Sequence, residues 1–487
     1  MLYMRKELID LVEGRLRDAK EVLTSNTKSP AGTPYPKRSI YLLAEKYIRE
    51  HLRKKESPSP RWLVVPGLRG VGKSTLLAQL YTAFAGNDGV VPIYFAMDDV
   101  VNLLKSNLQE VLEVYEQLTD INLATVKKPV LIFLDEVHYD PSWSAVLKVV
   151  YDKNPNIFIF CTGSSAIALQ ANTDTIRRIS IERLYPMSFT EFIFIRTKKY
   201  PIGGLKDKLK MLLWDSKSAT EMYSRLKHLE SSVDEWWKGV PRTELEYYLL
   251  VGAMPFATIY DDEAKALQAV NATIEKIVKI DIPQLKDFEN KTLNSIFNIL
   301  WLLANSGDLS LRGISDATGL QVPTIVDVLD TLQKTELLIR IPPHATSMEK
   351  QLLGSKSTKP SKYLFMSPAM RAAVLSSGGG TTLIEKKKGY LLEDAVGLYF
   401  YREFINRNFG SVMYFRDDTE QSSDFLVERS GRKIPVEVGL GTKDCKQVLN
   451  VMQKYPECPY GLVFDDGKLD LVEDKVVKVP LKFFLLA

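Results

Sequence analysis

Gly67-Leu68-Arg69-Gly70-Val71-Gly72-Lys73-Ser74-Thr75 decides the fold through what stands on either side of it. The apolar stretch 62–65 precedes it, and Ser74-Thr-Leu-Leu opens a helical pattern after it. Glycines so spaced between a strand and a helix let backbone N–H groups curl around a phosphate, and the helix N-terminus adds a favourable dipole. In that setting Lys73 reaches phosphate oxygens, Ser74 ligates Mg²⁺, and residues 67–75 form the nucleotide cradle. A glycine-rich turn with a chance lysine is the competing reading, and a second motif weighs against it.

That motif is Val130-Leu-Ile-Phe-Leu-Asp135-Glu136, a buried strand that delivers two carboxylates to its C-terminal end. Burial does not favour two adjacent acids without a cation. Asp135 is placed to hold Mg²⁺ through water, and Glu136 to polarise an attacking water. A third apolar run, 157–162, ends in Thr162 and is followed by Ser164. Both hydroxyls are candidates for sensing a γ-phosphate, although small hydroxyl residues also end strands and cap helices. Arg177 and Arg178 offer a cation for a transition state, including one on a neighbouring subunit's nucleotide. A solvated arginine pair is the alternative. His138 reads as a strand-end histidine or a phosphate sensor.

Working outward, apolar runs at 62–65, 91–96, 130–135, 157–162 and 179–184 alternate with helical patterns. This predicts an α/β fold, a parallel sheet covered on both faces. Leu8, Val12, Leu16, Ala19 and Leu23 recur at helical spacing ahead of it. Ser188 and Glu191 are spaced as a capping box that opens a helical region reaching about residue 282. Trp236 and Trp237 in that region read as packing residues or an interaction surface. From residue 290, a helix, turn and helix are followed by strands at 337–341 and 363–366, the order of a winged helix. Ser376-Ser-Gly-Gly-Gly380 reads as a flexible joint, beyond which lies a small mixed α/β domain. The expected boundaries are 1–60 for N-terminal helices, 61–195 for the nucleotide core and 196–284 for a helical lid. The winged helix takes 285–377 and the last domain 378–487.

The chain has 487 residues, 45% of them apolar, and 64 basic against 60 acidic side chains for a net charge of +4. This is globular composition, and any basic footprint for nucleic acid must be local. Cys161, Cys445 and Cys458 have no metal-ligand spacing and fit a reducing compartment. No stretch reads as a signal peptide or membrane span, so the expectation is a cytoplasmic protein without a membrane partner.

Taken together, Leu134-Asp-Glu-Val-His, Thr162-Gly-Ser-Ser, Leu184-Tyr-Pro-Met-Ser-Phe-Thr-Glu-Phe, Gly252-Ala-Met-Pro255 and the Asp424…Glu437 pair resemble the prokaryotic AAA-type ATPases close to the STAND group. That resemblance covers about residues 38 to 450. It implies a P-loop NTPase sheet with a helical lid, a winged helix and a C-terminal restriction-endonuclease-like domain. It also implies ATP rather than GTP, with Pro255 near the adenine; by itself the sequence gives Pro255 only a helix-breaking role. The expected activity is Mg²⁺-dependent ATP hydrolysis coupled to conformational change, in a homo-oligomeric motor or remodeller acting on DNA. The alternative is a nucleotide-operated switch that binds a protein partner.

The outer domains are read for DNA on their charges. Pro323, Thr324, Asp327 and Asp330 make the exposed face of the second winged helix a poor phosphate partner. Lys350, Lys356, Lys359 and Lys362 make the loop between the strands the better basic footprint. In the last domain Asp424 and Glu437, with Glu393 from the preceding helix, match the acidic half of a metal-dependent nuclease pattern. Gly439 stands where that pattern requires lysine. The expectation is therefore no nuclease activity, unless Lys443 or Lys446 supplies the missing ammonium.

Overall fold

Runs of consecutive apolar residues become strands buried along their length. In the computed structural model, β1 (Trp62–Pro66), β3 (Val130–Asp135) and β4 (Ile157–Gly163) are buried at every position. They join β2 (Val91–Ala96) and the short β5 (Ser180–Ile181) in a sheet of order β2-β3-β4-β1-β5, parallel throughout. The structure describes residues 2–53, 60–165, 173–201, 203–306, 309–344, 361–407, 410–416 and 422–487. They fall into two compact units, Met1–Tyr185 and Pro186–Ala487.

In the first unit the core gathers on Trp62, Val64, Ile132, Leu134 and Ile159 from the strands and on Val111, Trp143 and Leu147 from the helices. The N-terminal helix Leu2–Asn26 adds Leu8 and Val12 to it. The predicted stripe of that helix holds except at Leu16, which is 45% exposed. Trp62 and Trp143 meet edge to face at 6.1 Å, a favoured ring geometry across the sheet-helix interface. The fifth run is much shorter than the expected 179–184, yet Glu182 and Leu184 still donate backbone bonds to Val64 and Pro66.

The second unit opens with the helix Phe189–Thr197, where Ser188 Oγ accepts from Glu191 N at 3.3 Å, one half of the predicted capping box. Trp237 stacks on Phe189 at 5.2 Å and donates to Lys482 O, and Trp236 is buried, so both tryptophans pack. Helices Asn290–Asn305, Leu311–Thr318 and Val322–Lys334 lead into an antiparallel ribbon of β6 (Leu338–Ile341) and β7 (Lys362–Phe365). The expected joint at 376–380 is instead part of the helical span Pro368–Lys386, broken only at Gly380. A Cβ at Gly378 would lie 2.0 Å from Trp301 Nε1, so the glycine serves close packing there.

Beyond it a mixed six-stranded sheet runs β12-β13-β11-β10-β9-β8. Its strands are β8 (Ser411–Arg416), β9 (Ser422–Arg429), β10 (Arg432–Val438), β11 (Gly461–Asp465), β12 (Asp470–Val472) and β13 (Val476–Pro480). Among the described residues no helix is long and apolar enough to cross a membrane.

Candidate nucleotide site

The loop after β1 leads directly into the helix Lys73–Phe84. Its glycines are needed for different reasons. A Cβ at Gly67 would fall 2.3 Å from the backbone oxygen of Leu184, and Gly72 has φ +96° at the helix N-cap. Arg38, just ahead of the helix Ser39–Leu52, donates to Val71 O at 2.8 Å and ties the loop from outside. Lys73 is 5% exposed; its ammonium donates to Gly67 O at 3.1 Å and Leu68 O at 3.4 Å. It also stands 3.4 Å from Glu136 Oε1.

The two acids arrive from β3, which does not adjoin β1, because β4 lies between them. Thr162 at the end of β4 bridges the gap. It is fully buried, its hydroxyl donates to Asp135 Oδ1, and the same oxygen accepts from Glu136 N at 3.1 Å. Ser74, at the start of the loop's helix, hydrogen-bonds Asp135 as well. Glu136 has φ 53° and ψ 45°, a left-handed conformation that a non-glycine residue adopts at a cost of order 1–3 kcal/mol. Such strain persists where the surroundings over-determine it, and the Thr162 bond to Glu136 N is part of that restraint.

The two carboxyls respond oppositely to this setting. Burial pushes Asp135 up to about 6 and the neighbouring Glu136 charge adds to it, against hydrogen bonds from Thr162 and Ser74 and the Lys73 ammonium. Burial acts on Glu136 too, but Lys73, His138 and Arg69 outweigh it and hold this carboxyl below its ordinary value. His138 is buried; its Nδ1 lies 3.2 Å from Glu136 Oε2 and 3.2 Å from Ser164 N. Arg69 reaches Tyr139 Oη at 3.5 Å. The fold thus joins Lys73, Ser74, Asp135, Glu136, Thr162 and Ser164 in one network.

Arg177 and Arg178 are not part of that network. Arg178 is bound to Asp152 at 2.7 and 3.0 Å and donates to Asp174 O, whereas Arg177 is exposed. Pro255 belongs to the second unit, where it opens the 3-10 turn Pro255–Ile259. Sequence reasoning missed Arg38, whose only signal is an arginine at a helix start, and it missed the bridging geometry of Thr162.

Residues 59–193 match the AAA domain family, and residues 242–379 match a domain of unknown function, DUF8612. Among solved structures, Caenorhabditis elegans PCH-2 is similar at 13% identity over 40% of this chain and 50% of that one, with a TM-score of 0.25. AMPPCP-bound DnaA from Aquifex aeolicus aligns at 16% identity over 66% and 93%, with a TM-score of 0.27. Cdc6p from Pyrobaculum aerophilum aligns at 11% over 74% and 97%, with a TM-score of 0.28. All three scores are low, and none of these likenesses bears on function. The uncharacterized protein MJ1637 of Methanocaldococcus jannaschii is 31% identical over 454 residues, 92% of this chain and 89% of its own. Identity at that level along nearly both whole chains means that this AAA-domain protein belongs to the family of MJ1637.

Proposed function

We propose that the chain binds ATP with Mg²⁺ at residues 67–75 and hydrolyses it to ADP and phosphate, coupled to a change of conformation. The observation that carries this is the convergence of Lys73, Asp135 and Glu136 from separate elements, with Glu136 Oε1 3.4 Å from the loop lysine. A cation fits the acid pair: Asp135 is buried, its carboxyl is raised by burial, and the Ser74 hydroxyl already reaches it. Ser74 and Asp135 would hold Mg²⁺, which when bound neutralises charge on the phosphate oxygens.

The remaining work falls to the chain's own groups. Lys73 exchanges Gly67 O and Leu68 O for phosphate oxygens, and Gly70 and Gly72, at φ 86° and 96°, give the loop the left-handed turns that let its backbone face them. Glu136, kept ionised by its cations, accepts a proton from the attacking water. Thr162 and Ser164 carry phosphate contact to Asp135 and His138. Pro255 is proposed as an adenine contact on resemblance alone.

Arg177, exposed where Arg178 is engaged, is the better candidate for a cation acting on a neighbouring subunit. The partner is proposed as protein rather than DNA, on one surface observation. Asp327 and Asp330 are exposed on the helix Val322–Lys334, and Lys362 of the predicted basic loop is buried in ion pairs. Lys350, Lys356 and Lys359 lie outside the described residues. ATP turnover measured with and without duplex, branched and single-stranded DNA tests this: unchanged turnover supports the switch, and stimulation supports a DNA motor.

A further inference from the structure

The second unit holds an acid centre of its own. Glu393 of the helix Lys388–Phe400, Asp424 of β9 and Glu437 of β10 converge there with two lysines. Lys443 Nζ lies 3.2 Å from Glu437 Oε1. Its stem runs through the space a side chain at Gly439 would take, because a Cβ there would meet Lys443 Cε at 2.1 Å. Gln447, with its amide turned to donate, reaches both Glu437 oxygens at 2.6 and 3.0 Å. Lys446 instead faces solvent beside Asp444.

The second lysine comes from elsewhere in the unit. Lys362 opens β7, far from β9 in sequence, and its Nζ lies 2.6 Å from Glu393 Oε2 and 3.5 Å from Asp424 Oδ1. Its side chain is 10% exposed and sits over the Phe425 ring at 5.3 Å. At the other end of the same strand, Phe365 N donates to Asp394 Oδ1 at 2.9 Å. Consecutive acids of one helix therefore grip both ends of β7.

A nuclease-like domain would imply Mg²⁺ at these acids, and the residues present do not fit it. An ammonium already stands within ion-pair distance of two of the three carboxylates, and a second engages the third. Among the described residues no three His, Cys, Asp or Glu side chains are disposed to hold a metal ion. Glu437 is pushed up to about 8 by burial and by Asp424, against the Lys443 ammonium beside it.

We propose that Lys362 is the built-in cation of this acid centre, locking β7 to the β9–β10 hairpin in place of a divalent metal ion. Removing one partner of a buried pair leaves the others uncompensated, so the lock has a measurable signature. In full-length Lys362→Met, amide hydrogen exchange across residues 362–365 quickens by roughly tenfold or more. Adding Glu393→Gln and Asp424→Asn to that variant restores part of the protection, because the stranded charges are gone. Where Lys362→Met does not fold, Glu393→Gln alone loosens the same pair and takes its place. Unchanged exchange in these variants overturns the proposal. So does a nucleotide-free Mn²⁺ site, seen by electron paramagnetic resonance in the parent protein and lost in Asp424→Asn.

Discussion

Lys73 Nζ stands 3.4 Å from Glu136 Oε1 while donating to the carbonyls of Gly67 and Leu68. The loop lysine and the strand-end glutamate therefore hold one another. Neither is left as an unpaired charge, which in a site this buried would be costly. Phosphate oxygens offer Lys73 a stronger partner than neutral carbonyls do, so on the proposed function nucleotide entry would release the lysine from its own loop. Glu136 keeps His138 3.2 Å away as a second restraint.

Thr162→Val removes the one oxygen that bonds both Asp135 and the Glu136 backbone. Leaving these buried groups short of a partner costs about 1–3 kcal/mol of stability. Turnover falls by roughly tenfold or more through misplacement of Glu136, while ATP affinity changes little. Denaturant unfolding and steady-state kinetics on one preparation check both halves.

Gly67→Ala places a methyl group 2.3 Å from Leu184 O, a backbone atom that cannot swing aside. The loop or the segment after β5 must shift, costing roughly 1–3 kcal/mol. The thermal shift produced by saturating ATP should shrink with it, since the cradle no longer holds its geometry.

Arg177 and Arg178 should separate in a pair of alanine variants. Arg178 is spoken for by Asp152, so Arg178→Ala leaves turnover near that of the parent. If Arg177 reaches a neighbouring subunit's nucleotide, Arg177→Ala lowers turnover by roughly 10³-fold without loss of ATP binding. Parental turnover in Arg177→Ala, or a single-chain mass with and without ATP, removes the trans-acting role.

Stability should depend on pH through the acid centre of the second unit. Glu437 has a folded-state pKa of about 8, raised by burial and by Asp424, and burial raises Glu393 in the same direction. In the unfolded chain a glutamate titrates near 4.3. Between these values the folded protein holds a proton that the unfolded chain has lost. The contribution of Glu437 therefore favours folding increasingly as pH falls from about 8, until the unfolded glutamate protonates as well. Glu437→Gln flattens that dependence in chemical denaturation curves, and an unchanged slope contradicts the assignment.

Much of the first unit was legible because its signals are local. Apolar runs too short for helices and bounded by turns become β1 to β4 within a residue or so of their expected ends. The loop glycines and the acid pair are contiguous in sequence. Strand order is not local, so nothing in residues 157–162 announced that β4 separates the two motifs and that Thr162 must bridge them. Arg38 meets Val71 O across 33 positions, and Lys362 meets Asp424 across two separate sheets. A lysine ahead of Tyr363-Leu-Phe reads as solvated until the acids that face it are known. Gly378 misled in the opposite sense, since a glycine run signals freedom in sequence and close approach to Trp301 in the fold.

Glu136→Gln removes the proton-accepting charge and spares the loop proposed to bind phosphates. The measurement is ATP binding by titration calorimetry beside phosphate release, parent against variant, with Lys73→Ala as the non-binding control. Glu136→Gln should bind ATP about as well as the parent and release phosphate at least roughly 10²-fold more slowly. Phosphate release at the parental rate in Glu136→Gln would contradict it.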